Sequence, residues 1–167
     1  MTKEDPWFFQ VRAEAFASLM LTKHNEVLVQ ALRGHDLGVD LLVELLKDGK
    51  LTSRRFGVQL VPYMDLPNIQ HPAERVLSHF TENHMEAKFP ICVFVIGVRK
   101  PEGICSWAVE PVIEDFRAVL HRNVEANWQT LDEEEAARLI SQVNAWYDAL
   151  DISWMPKARQ RRSEVEQ

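Results

Sequence analysis

The sequence predicts an α/β (α+β) domain with a central mixed sheet of four to five strands flanked by helices, in the order α-β-β-β-α-β-β-α. Three features carry that expectation. Apolar residues recur at helical spacing near both ends of the chain. Two runs of strand character flank the turn-forming Lys47-Asp48-Gly49-Lys50. The stretch ICVFVIGV is apolar and β-branched almost throughout, as a strand covered on both faces requires.

Taken in order, Asp5-Pro6 supplies a helix cap with proline at the first helical position. Phe9, Ala13, Phe16 and Met20 then form a stripe, predicting a helix from about Pro6 to Leu21 with Gln10 and Glu14 beside it. NEVLVQAL, from Asn25 to Leu32, reads as a first strand, ended by Gly34-His35-Asp36. Val39 to Leu46 and Phe56 to Val61 are expected to pair as an antiparallel hairpin turning near Lys50. Proline at 62 and 67 opens a loop, and Pro72 starts a helix carrying Ala73, Leu77 and Phe80 on one face. Ile91 to Val98 is the expected sheet centre. Lys100-Pro101-Glu102-Gly103 turns the chain back into an antiparallel strand from Ile104 to Val109. The last helix is expected near Thr130, with Asp132 to Glu135 in its first turn complementing the helix dipole. Its stripe is Ala136, Ile140, Val143, Tyr147 and Leu150.

The 167 residues suit a single domain, taken as 1–155, which buries roughly two-thirds of the surface its unfolded chain exposes. The tail 156–167 is basic, lacks periodicity and is expected to be disordered. Cys92 and Cys105 lie in apolar runs without CxxC spacing, so they read as buried free thiols. The amino terminus has no basic start followed by an apolar core, and no run approaches a membrane span; the expectation is a cytoplasmic protein with no membrane association. A formal charge of −6 opposes non-specific adhesion to nucleic acid, which depends on clustered Lys and Arg. The concentrations of positive charge are Arg54 with Arg55, Arg99 with Lys100, and the tail. His79 and His84 are five apart and form no metal pair on one helix face, and His71 and His121 have no recognisable partner. GxxxxGK, GxGxxG and GxSxG are all lacking, which removes the common nucleotide-binding and hydrolase readings. The tryptophans at 107, 128, 146 and 154 read as core packing or as a stacking surface.

Alternation puts Asp40, Leu42 and Glu44 on one face of the second strand, and Arg55, Gly57, Gln59 and Val61 on one face of the third. A hairpin turning near Lys50 brings Asp40 close to Gln59 and Val61. A carboxylate and an amide oxygen converging at strand ends suit a hard cation such as Mg²⁺. The bland readings stand beside this one: Asp40 as a cap of the Gly38 turn, Gln59 as an edge amide, Glu14 as an exposed helix acid. Glu44 is expected to pair with Arg54 or Arg55.

The residues RAEAF, GVDLLVEL, FGVQL and ICVFVIGV with a following tryptophan, in this order across about residues 7 to 120, resemble the restriction-endonuclease-like PD-(D/E)xK superfamily. The likeness is narrowest to an uncharacterised bacterial domain family within it, linked to mobile elements and defence. The resemblance implies Asp40 as the metal carboxylate, Gln59 as the second ligand and Glu14 as the helix-borne acid completing a Mg²⁺ site. It also puts Val61 where the superfamily has its lysine, and valine offers no charge, no donor and no proton chemistry. Lys47 and Lys50 belong to the far end of the hairpin, and Arg55 is four residues from Gln59, about 13 Å along a strand.

The resulting expectation is a degenerate, catalytically impaired nuclease-like domain that associates with nucleic acid or a protein partner in a bacterial defence or mobile-element system. The rivals are an active Mg²⁺-dependent phosphodiesterase with water activated by metal alone, and a pure interaction module whose cleft is closed by Val61 and Pro62.

Overall fold

Alternation, turn chemistry and helices with apolar faces assemble here into one mixed sheet with the first and last helices packed on one of its faces. The computed structural model describes residues 7–32, 38–64, 77 and 86–153. Its elements are α1 (Trp7–Thr22), β1 (Val27–Ala31), β2 (Leu41–Lys47), β3 (Lys50–Tyr63), β4 (Ile91–Gly97), β5 (Glu102–Glu114), β6 (Arg117–Arg122), β7 (Gln129–Thr130) and α2 (Glu133–Ser153). The α+β class is as expected, but the sheet is larger than four to five strands. Seven strands are ordered β1-β2-β3-β4-β5-β6, with β7 pairing to β5. The expected Pro72 helix lies outside the described residues apart from Leu77, which is helical and buried. His71, His79, His84, Trp154 and the 156–167 tail lie outside them too.

The hairpin forms as the turn residues predict. Asp48 and Gly49 both take positive φ, at 51° and 72°, the geometry of a tight turn that follows the strand twist. β2 and β3 are antiparallel with Leu41 opposite Val58 and Glu44 opposite Arg55. β3 then runs well past the expected Phe56–Val61 and pairs in parallel with β4, Gly57 beside Ile91 through Tyr63 beside Gly97. A parallel pair needs a crossover of a dozen or more residues, and 64–90 provide it. β4 is buried at all seven positions, because it has a strand on each side and a packed layer on each face.

Three strand segments escaped the sequence patterns: the end of β5, β6, and the short β7, which holds Thr130 where the last helix was expected to begin. β5 continues through Pro111 because its last pair with β4 is Val109 with Ile91, so the missing N–H costs no ladder bond. The Pro111 carbonyl accepts from Nε2 of Gln142 at 3.0 Å instead. β6 follows a turn at Asp115-Phe116, where both residues hold positive φ, 47° and 64°, without the glycine that normally announces such a turn.

The helix-side core joins Ala13, Ala17 and Leu21 of α1 and Leu139, Ile140 and Val143 of α2 to Val43, Phe56, Val58 and Phe94 of the sheet. α1 therefore buries Phe9, Ala13, Ala17 and Leu21, a face rotated from the expected stripe, with Phe16 and Met20 half-buried at its margin. The helix is apolar nearly all round, so spacing alone could not choose the face; the alanines win because they let the helix approach the sheet closely. α2 begins as expected, with Oδ1 of Asp132 accepting from the Glu135 amide at 2.8 Å. On the other face Val61, Val93, Val95, Leu77 and Ala108 form a second apolar cluster.

Candidate functional site

β2 begins at a bend. The Asp40 amide donates to the Val58 carbonyl at 2.9 Å, so the ladder extends by one position beyond Leu41 and Val58 and sets Asp40 across from Gln59. Asp40 and Gln59 come close as expected, through a two-residue register shift between Glu44 and Leu46 beyond the Asp48-Gly49 turn. The chain then leaves the sheet, and the next donor along β3, the Leu60 amide, has no backbone partner in β2. Oδ2 of Asp40 accepts it at 2.7 Å. The carboxylate thus stands in for a missing ladder carbonyl, close to the expected capping role but directed at β3 and not at the Gly38 turn.

A second carboxylate joins it. Burial raises the Asp40 pKa above the ordinary 3.8, the Leu60 hydrogen bond pulls it back down, and the charge of Glu14 on α1 raises it further. A half-buried acid facing another acid is the arrangement that a divalent cation or a shared proton relieves. Gln59 alternates with Val58 and Leu60, so its side chain belongs to the face of Gly57 and Val61 and not to the α1 face. Glu14 acts on Asp40 from α1 through its charge, while Gln59, across from Asp40 in the register, turns its side chain to the face away from α1. Among the described residues no group of three or more His, Cys, Asp or Glu side chains is gathered to hold a metal ion; the acids at this place are Asp40 and Glu14. No protein-family model matches the chain, and no match is found among curated proteins or solved structures.

Val61 is packed into the apolar cluster with Val93, Val95 and Leu77. No cation occupies that position. Gly57, between Arg55 and Gln59 on the same face, is hemmed in: a Cβ there would lie 2.8 Å from Cγ1 of Val39 and 3.2 Å from the Phe89 ring.

The two arginines expected to share Glu44 divide. Arg54 turns to α2, where it bonds Asp148 at 2.7 Å and Asp151 at 3.0 Å and reaches Asn144 at 3.2 Å. Arg55 stands opposite Glu44 in the strand register, with its guanidinium over the Phe89 ring at 5.6 Å. The meeting of Arg54 with two acids and an asparagine on a distant helix was not legible in the sequence. His121, without a recognisable partner in the sequence, lies 2.7 Å from a Glu114 oxygen across the β5–β6 turn.

The remaining candidates are structural. Burial pushes the Cys92 thiol well above its usual range and Cys105 beside it adds to the shift, which leaves Cys92 unreactive; both thiols are buried and free. Trp107 and Trp146 are core residues whose indoles donate to Gln142 at 3.1 Å and to the Val119 carbonyl at 2.7 Å. No helix among the described residues is long and apolar enough to cross a membrane.

Proposed function

We propose that this chain is a degenerate nuclease-like domain whose Mg²⁺ site is catalytically impaired and which works by associating with nucleic acid. The observation that carries this reading is the half-buried Asp40 carboxylate, held on the Leu60 amide at the point where β2 leaves β3 and within reach of the charge of Glu14, with Val61 built into an apolar cluster two residues beyond Gln59. A half-buried carboxylate that feels a second acid is costly to a fold that has no use for it. The order of elements supports the restriction-endonuclease-like reading: a helix, a three-stranded antiparallel meander, a crossover, then a strand parallel to the third. The assignment to a bacterial defence or mobile-element system rests on the resemblance of the motifs.

Glu14 and Asp40 are the residues that would hold Mg²⁺; the side chain of Gln59 belongs to the face of Gly57 and Val61, away from α1. Bound there, the ion would polarise a phosphodiester and lower the pKa of its water. Asp40 keeps one carboxylate oxygen on the Leu60 amide, which fixes its orientation. The chain has no cation at Val61 to orient that water or to stabilise charge building on the phosphate.

The test is incubation with single- and double-stranded DNA and RNA in Mg²⁺ or Mn²⁺. This reading expects binding that weakens steeply with salt and no cleavage. Cleavage that disappears in Asp40→Ala would give the site to the active phosphodiesterase reading. Absence of binding to every nucleic acid would leave the protein-interaction module. Val61→Lys is the companion variant, expected to gain metal-dependent cleavage that still needs Asp40.

A further inference from the structure

The amino-terminal half of β3 extends beyond β4, whose first partner on β3 is Gly57. The exposed edge left there opens into a cleft of about 390 Å³ lined by Glu44, Ser53, Arg55, Lys88, Phe89 and Tyr147. Ser53 holds a positive φ of 63° at the irregular stretch of the β2–β3 pairing. The Tyr147 hydroxyl donates to the Arg55 carbonyl at 2.9 Å, filling one edge acceptor and fixing the cleft floor.

The chemistry of the lining is uneven. Arg55, Lys88, Ser53 and Tyr147 all carry donors, and Glu44 is the one acid among the lining residues, so the cleft is locally positive in a chain of net charge −6. Arg54, its neighbour in sequence, is consumed by Asp148 and Asp151 on α2. The Arg55 guanidinium instead lies on the Phe89 ring, a contact that orients the cation and leaves its edge donors directed away from the ring. A planar cation on an aromatic ring beside an exposed lysine offers both phosphate contact and a stacking surface. Arg55 also shares a face of β3 with Gln59, four residues or about 13 Å along the strand.

We propose that this cleft is a contact site for the backbone of single-stranded nucleic acid, with Arg55 and Lys88 on phosphate and the Arg55–Phe89 stack accepting a base. The site deepens the nucleic-acid reading given above and rests on it. Phosphate recognition is the shared chemistry, so free phosphate is the competing source of ligand.

The experiment is fluorescence anisotropy of a labelled 20-nucleotide poly-dT strand with the full chain at several salt concentrations, with inorganic phosphate titrated separately and followed by amide NMR shifts. Arg55→Ala and Lys88→Ala should each weaken strand binding about 5- to 20-fold. Each should also reduce the steepness of log K against log salt by about 0.7. Lys100→Ala, an exposed lysine paired with Glu102 outside the cleft, should leave binding unchanged. Circular dichroism checks the fold, and Arg55→Gln, which keeps the stem, should repeat the Arg55→Ala loss. Wild-type binding indifferent to Arg55 and Lys88, or equally sensitive to Lys100, would overturn this cleft while leaving the nuclease-like reading intact. No strand binding at all would remove both. Phosphate shifts at the cleft without strand binding would overturn the nucleic-acid assignment in favour of the free anion.

Discussion

The Leu60 amide donates to Oδ2 of Asp40 at 2.7 Å, so a side chain completes the β2–β3 ladder at the point where the backbone of β2 turns away. An amide oxygen can do the same. Asp40→Asn is therefore expected to fold normally, whereas Asp40→Ala strands the donor and should cost about 1–3 kcal/mol in urea unfolding. Loss of metal-dependent behaviour in the Asn variant, with stability kept, separates the chemical role of the carboxylate from its structural one.

The pH dependence of that pair has a definite sign. The folded carboxyl of Asp40 holds its proton to higher pH than the unfolded one, because burial and then Glu14 outweigh the Leu60 bond. Its contribution to stability is full below the ordinary 3.8 and is lost as pH rises through the raised value. Relative to wild type, Asp40→Asn should therefore gain stability as pH rises above the ordinary 3.8 through the raised value. A variant whose relative stability falls over that range contradicts the sign. Glu14→Gln removes one of the raising influences, and an NMR titration of the Asp40 carboxyl should move towards 3.8.

Gly57 has no room for a methyl group. Gly57→Ala should cost about 1–3 kcal/mol by forcing Val39 and Phe89 apart. Val39→Ala in the same chain should recover part of that cost, and a double-mutant cycle measures the coupling.

Arg54 ties the middle of β3 to the last turns of α2 through Asp148 and Asp151, with its side chain 22% exposed and both acids largely in solvent. Arg54→Ala should cost about 1 kcal/mol, a difference that shrinks at high salt. Hydrogen exchange is expected to quicken first in the carboxy-terminal turns of α2.

Phe116 is 92% exposed and holds φ at 64° in the β5–β6 turn. Phe116→Gly removes the left-handed strain and should stabilise the protein by about 0.5–1 kcal/mol, read as a shift of the urea midpoint.

Local rules settled much of this protein. Asp48-Gly49 defines the hairpin, the apolar run from Ile91 marks the central strand, and Asp132 starts α2. Each depends on a few neighbouring residues and on periods of 2 or 3.6, which the chain carries within itself. The candidate carboxylates were legible for the same reason.

Packing decided the rest. α1 is apolar on several sides, and only contact with the sheet selected Ala13 and Ala17 as its inner face. Pro111 lies inside a strand because β4 ends before it needs a donor. The Asp115-Phe116 turn is held by the pairing on either side of it, against the preference of its own residues. Arg54 and Arg55 are adjacent in sequence, yet one is bound to a helix about ninety residues away and the other faces an open cleft. Such assignments follow from which surfaces meet, and no local period encodes that.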